Sequence, residues 1–118
     1  MKKVNLTEKF ALISDFWRPR IAAELNDFQV KLVKLRGEFV WHQHENEDEL
    51  FLVVKGSLLI RLREGDMHLE EGELAVIPHG VEHCPVALEE VQVLLLEPKT
   101  TLNTGSAGGE RTVEPEWI

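Results

Sequence analysis

The chain has 118 residues, 43% hydrophobic and 29% charged, with a formal net charge of −8. That length and composition fit one soluble domain with a single core, and the acidic balance argues against nucleic acid or an anionic membrane as partner. No apolar run reaches membrane-spanning length, and MKKVNLTEKF at the N-terminus holds no signal-peptide-like stretch. The single cysteine, Cys84, lacks an internal disulfide partner, so a reducing cytoplasm is the expected compartment.

In chain order, only the arm at 1–18 predicts a helix. Asn5 followed by Glu8 fits a capping box, and Leu6, Phe10 and Ile13 share one side. Pro19 stops the helix. From 19 to 99 short extended runs alternate with turn signals. The predicted strands are Ile21–Leu25, Phe28–Arg36, Glu38–His42, Glu49–Lys55, Leu58–Arg63, Met67–Leu69, Glu73–Ile77, His83–Leu88 and Val91–Glu97. Asn26-Asp27, Gly37, Gly56-Ser57 and Glu89-Glu90 are among the expected breaks. No gap holds a crossover helix, which predicts an all-β barrel or sandwich. Residues 100–118 mix Gly, Ser, Thr and Pro and predict an irregular tail, packed over the barrel or loosely attached. The whole of 1–118 is expected to form one domain.

Strand parity places His42 and His44 on one face with Val40, and Phe39 and Trp41 on the other. Glu49 shares a face with Phe51 and Val53, while Leu50, Leu52 and Val54 occupy the opposite one. Both faces of the Glu49–Lys55 strand are therefore apolar. Something should cover the outside, and a homodimer is the preferred expectation.

His42, His44, Glu49 and His83 form the candidate metal set. Two imidazoles at i and i+2 project in parallel, a carboxylate returns from the next strand, and His83 opens a later one. Nitrogen donors with one carboxylate suit Fe, Mn, Ni, Cu or Zn as a divalent ion, and suit calcium poorly. Each residue alone has a plainer explanation. His-x-His is often a solvated loop, Glu49 stands among surface acids, and His83 could cap the turn that begins at Pro78.

Together these residues resemble the cupin superfamily, in particular its small stand-alone members. The first cupin motif is matched by Gly37-EFVW-His42-Q-His44-ENED-Glu49-LFLVVK-Gly56, one residue short between Gly37 and His42. The second is matched by Gly72-ELAVI-Pro78-H-Gly80-VE-His83, with Ala87 where asparagine often stands. The resemblance implies a cupin β-barrel (a double-stranded β-helix, or jelly roll) with a short N-terminal helix and a metal inside its open end. It also implies edge-strand pairing between two subunits.

Several neighbours receive weaker assignments. His79 is expected in an exposed turn, His68 on the surface and Cys84 as a small buried hydrophobe. Arg61 and Arg63 are expected to face solvent, and Trp17, Trp41 and Trp117 to be packing or interface residues. The inferred interior is Val40, Phe51, Val53, Leu58, Ile60 and Leu62, with no lysine or second carboxylate pointing in. A centre of three neutral imidazoles, one carboxylate and a divalent ion favours a small polar or anionic ligand. With no placed base, dioxygenase-like chemistry is preferred to a metal-dependent isomerase or epimerase of a sugar or oxo acid. A non-catalytic small-molecule- or metal-binding module is the third possibility.

Overall fold

A computed structural model describes residues 1–118. Its helix, α1 (Leu6–Ala11), is capped as the sequence predicts: the Asn5 side chain accepts a hydrogen bond from the Glu8 backbone N–H at 3.0 Å. Phe10 and Ile13 are buried against Leu32, with Leu6, Ala22, Val54 and Leu94 packed around them. The helix thus covers part of the sheet's outer face.

Eight strands follow. They are β1 (Arg20–Leu25), β2 (Phe28–Glu38), β3 (Glu49–Lys55), β4 (Leu58–Leu62), β5 (Met67–Leu69), β6 (Leu74–Ile77), β7 (His83–Pro98) and β8 (Glu116–Trp117). One path through the sheet runs β5-β4-β7-β2-β1-β8, and β3 joins β7 to β6. All pairs are antiparallel except β1 with β8. Antiparallel pairing without crossover helices is what the short, evenly spaced runs predict.

Two expected breaks are not breaks. β2 continues through Gly37, which absorbs a register irregularity at φ +87 while the ladder to β7 carries on at Glu38↔Val86. β7 likewise runs 16 residues through Glu89 and Glu90. Its first part pairs with β4 and its last part with β3, so a long strand changes partner along its length. The predicted strand Glu38–His42, by contrast, dissolves after Glu38. Only an isolated bridge between His42 and His83 remains there.

The core sits on the inner face. Val53, Ile60, Val91 and Val93 are completely buried, and Leu58 nearly so. β3 alternates as parity requires, with Glu49, Phe51 and Val53 inward and Leu50, Leu52 and Val54 half-buried outside. The tail packs on the barrel: Thr104 is fully buried, the Ser106 N–H donates to the Gln43 carbonyl at 2.9 Å, and the Ile118 N–H donates to the Ile21 carbonyl at 3.0 Å. No helix is long and apolar enough to cross a membrane.

Candidate metal centre

His42 and His44 lie on the segment after β2, Glu49 opens β3 and His83 opens β7. Two backbone hydrogen bonds clamp the segments together, His42 N–H to the His83 carbonyl at 3.0 Å and His83 N–H to the His42 carbonyl at 2.9 Å. Gly80 N–H donates to the His44 carbonyl at 2.8 Å and holds the Pro78–Gly80 turn against the same segment. One potential ligand atom from each of the four residues lies within 4.8 Å of all the others, and all four residues are buried.

Proton placement favours ligation. His42 Nδ1 and His83 Nδ1 each lie 2.9 Å from a carbonyl two residues earlier, Val40 and Val81. A carbonyl can only accept, so each Nδ1 carries the proton and each Nε2 keeps its lone pair for the cluster. Burial, reinforced by the nearby His83, lowers the His42 pKa from 6.5 to about 4 and keeps that ring neutral at pH 7. His44 Nε2, His83 Nε2 and Glu49 Oε1 are buried without hydrogen-bond partners. Glu49 Oε1 approaches the two imidazole nitrogens at 3.3 and 3.5 Å, but neither contact is aligned as a hydrogen bond. Buried polar atoms are rarely left in this state, and a cation among them would satisfy them all. The four residues fit a metal ion on that ground.

The cluster opens into a narrow cavity of about 40 Å³. His42 and Glu49 line its buried part together with Val33, Leu35, Phe51 and Leu95. Half-buried Trp17, Phe39 and Asn103 line its more exposed part.

Here the structure corrects the expected interior. Glu97 also lines the cavity and is 1% exposed, and its Oε1 accepts from Lys31 Nζ at 2.8 Å; Lys31 is 2% exposed. A lysine and a second carboxylate therefore do point in. Parity carries the signal: Glu97 continues the inward series Val91, Val93, Leu95, and Lys31 precedes Val33 and Leu35. Burial and the Glu49 carboxylate push the Glu97 carboxyl well above its usual range, against the pull of Lys31. Burial alone would raise Glu49 too, but the close side chains of Glu97, His44 and His83 carry it well below the usual range.

Phe39, assigned to the outer face, lines the cavity, whereas Val40 contributes only its carbonyl to His42. Parity fails there because residues 39–41 are not in a strand. The weaker assignments mostly hold. His79 is exposed and binds Asp48 Oδ1 at 2.9 Å, His68 is exposed, and Cys84 is fully buried. Arg61 and Arg63 lie over the ring of Trp41, at 5.6 and 3.7 Å from its centroid, and pair with Glu38 and Glu82.

The family model for the Cupin domain matches residues 30–97. A cupin-2 domain containing protein from Shewanella frigidimarina shares the fold at TM-score 0.80 and 49% identity, over 80% of this chain and 93% of that one. The uncharacterized protein YdbB of Bacillus subtilis is 39% identical over 62 residues, which is 52% of this chain and 55% of YdbB. A 3-hydroxyanthranilate 3,4-dioxygenase 2 of Aspergillus fumigatus is 34% identical over 80 residues, which is 63% of this chain and 42% of that enzyme. The chain spans about half the length of these curated relatives. With both motifs in place on an antiparallel barrel, and the family model covering more than half of the sequence, the chain belongs to the cupin family.

Proposed function

We propose that His42, His44, Glu49 and His83 hold one divalent transition metal and that the protein is a mononuclear metalloenzyme of dioxygenase type, acting on a small anionic molecule. The observation that carries this reading is the set of converging, buried and unpartnered ligand atoms at the inner end of a cavity. The 34% identity with a dioxygenase supports the reaction class. A metal held by three imidazoles and one carboxylate supplies positive charge and exchangeable coordination positions.

The chain's own residues set the conditions around that site. Val40 and Val81 carbonyls orient two of the rings through their Nδ1 protons. Val33, Leu35, Phe51 and Leu95 exclude water from the cavity walls. Glu97, its carboxyl pushed up by burial and by Glu49, is held at the edge of the cluster by Lys31. That second carboxylate also supports an alternative, metal-dependent isomerase or epimerase chemistry, because it stands where an acid or base would be needed.

Oxygen uptake separates the two. Fe(II)-loaded protein is expected to consume oxygen only in the presence of a substrate from a panel of small carboxylates and catechols. Turnover of an oxo acid or sugar without oxygen consumption would establish the isomerase instead. Tight binding without any turnover would leave a non-catalytic binding module.

We also infer that a second copy of the chain covers the outer face. Leu74 and Val76 on β6 are 57% and 53% exposed, beside half-buried Leu50, Leu52 and Leu96, and α1 shields a different part of that face. Sedimentation at micromolar concentration is expected to give twice the chain mass, and a monomer would overturn this. A cytoplasmic setting suits Cys84 as a free, buried thiol.

A further inference from the structure

The more exposed part of the cavity is more elaborately built than packing requires. Trp17 sits at φ 63, a left-handed conformation that a bulky residue adopts only when its surroundings impose it. Two hydrogen bonds to β2 hold it there: its backbone N–H to the Lys34 carbonyl at 2.9 Å and its indole N–H to the Arg36 carbonyl at 2.8 Å. In that pose its ring stacks on Phe39, with centroids 4.7 Å apart and planes 14° apart. Both rings line the cavity. Phe39 in turn meets the ring of His42 edge-on at 5.4 Å.

Arg111, from the tail, lies over this pair. Its guanidinium carbon is 5.8 Å from the Trp17 centroid and 5.5 Å from that of Phe39. Asn103, another cavity residue, fixes the segment by donating to the Arg111 carbonyl at 2.8 Å and accepting from the Val113 N–H at 3.1 Å. Arg18, Arg20, Arg61 and Arg63 each meet a carboxylate. Arg111, like Arg36, meets none, although Glu110 beside it shares the cleft outside the cavity. A guanidinium braced on aromatic faces keeps N–H groups free for a bidentate contact with a carboxylate.

We propose that Arg111, in the adjoining cleft beside Trp17, is a carboxylate anchor, and that its ligand is a small planar acid lying along Trp17 and Phe39 with its other end in the cavity at the histidine cluster. This rests on the metal-site reading for the inner contact only. The outer contact is a property of Arg111.

The test is a binding comparison between 2,3-dihydroxybenzoate and 2,3-dihydroxybenzamide, which share the chelating diol and differ in the carboxylate. Calorimetric titrations are run on Zn(II)-treated and on metal-free protein, with metal content measured separately. The acid is expected to bind about tenfold more tightly than the amide. Arg111→Gln is expected to bring that ratio close to one while leaving amide affinity and metal content unchanged, and Arg111→Lys to restore part of it. A purely structural role for Arg111 would change both ligands equally. An acid preference that survives Arg111→Gln, or no binding of the acid in either form, would overturn the proposal. Failure to take up metal would count against the metal-site reading, and the metal-free comparison would still decide the role of Arg111.

Discussion

The two ends of the barrel interior are built by opposite rules. One is plugged by Val53, Leu58, Ile60, Val91 and Val93, with no polar atom to satisfy. The other gathers three imidazoles, two carboxylates and an ammonium within the same buried layer, several of them without partners. The contrast teaches that the apolar end supplies the stability that lets the polar end be held in an otherwise unfavourable arrangement.

The comparison breaks most severely at Lys31. Lys31→Met strands Glu97 in a buried site and is expected to cost about 3–5 kcal/mol in denaturant unfolding, while Lys31→Met with Glu97→Leu recovers most of it. Ile60→Ala, at the plugged end, is expected to cost about 2–5 kcal/mol with no change in metal stoichiometry. If Ile60→Ala also abolished metal binding, the two ends would not be separable.

A pH experiment on metal-free protein sharpens the contrast further. His42 is lowered to about 4 in the fold, against 6.5 when unfolded. Between those values the unfolded chain binds more protons, so stability falls as pH drops from about 6.5 to about 4. The His42 contribution is about 3 kcal/mol, and His42→Gln should remove it from the unfolding profile. A variant with an unchanged profile would show that the ring is not held neutral by burial.

How much of this was legible in the chain differs between its parts. The turns at Asn26-Asp27 and Gly56-Ser57 and the alternation of β3 follow from local chemistry, and the structure keeps them. Gly37 and Glu89-Glu90 misled because a residue that permits a break does not enforce one when β2 and β7 can pair across it. The spacing of His42, His44, Glu49 and His83 pointed to a shared site, and the fold does bring their ligand atoms together. Lys31 and Glu97 are readable by parity, against the general rule that charged residues are seldom buried. Arg111 carried no signal at all. Its position depends on an irregular tail returning across the barrel, held by hydrogen bonds such as Asn103 to the Arg111 carbonyl.

The most direct test of the account is elemental analysis of protein purified without chelator or affinity metal, set beside the His42→Ala, His44→Ala double variant. The account predicts close to one transition-metal ion per wild-type chain and almost none in the variant, with both retaining a cooperative unfolding transition. Equal metal content in the two proteins, or none in the wild type under any loading, would contradict it.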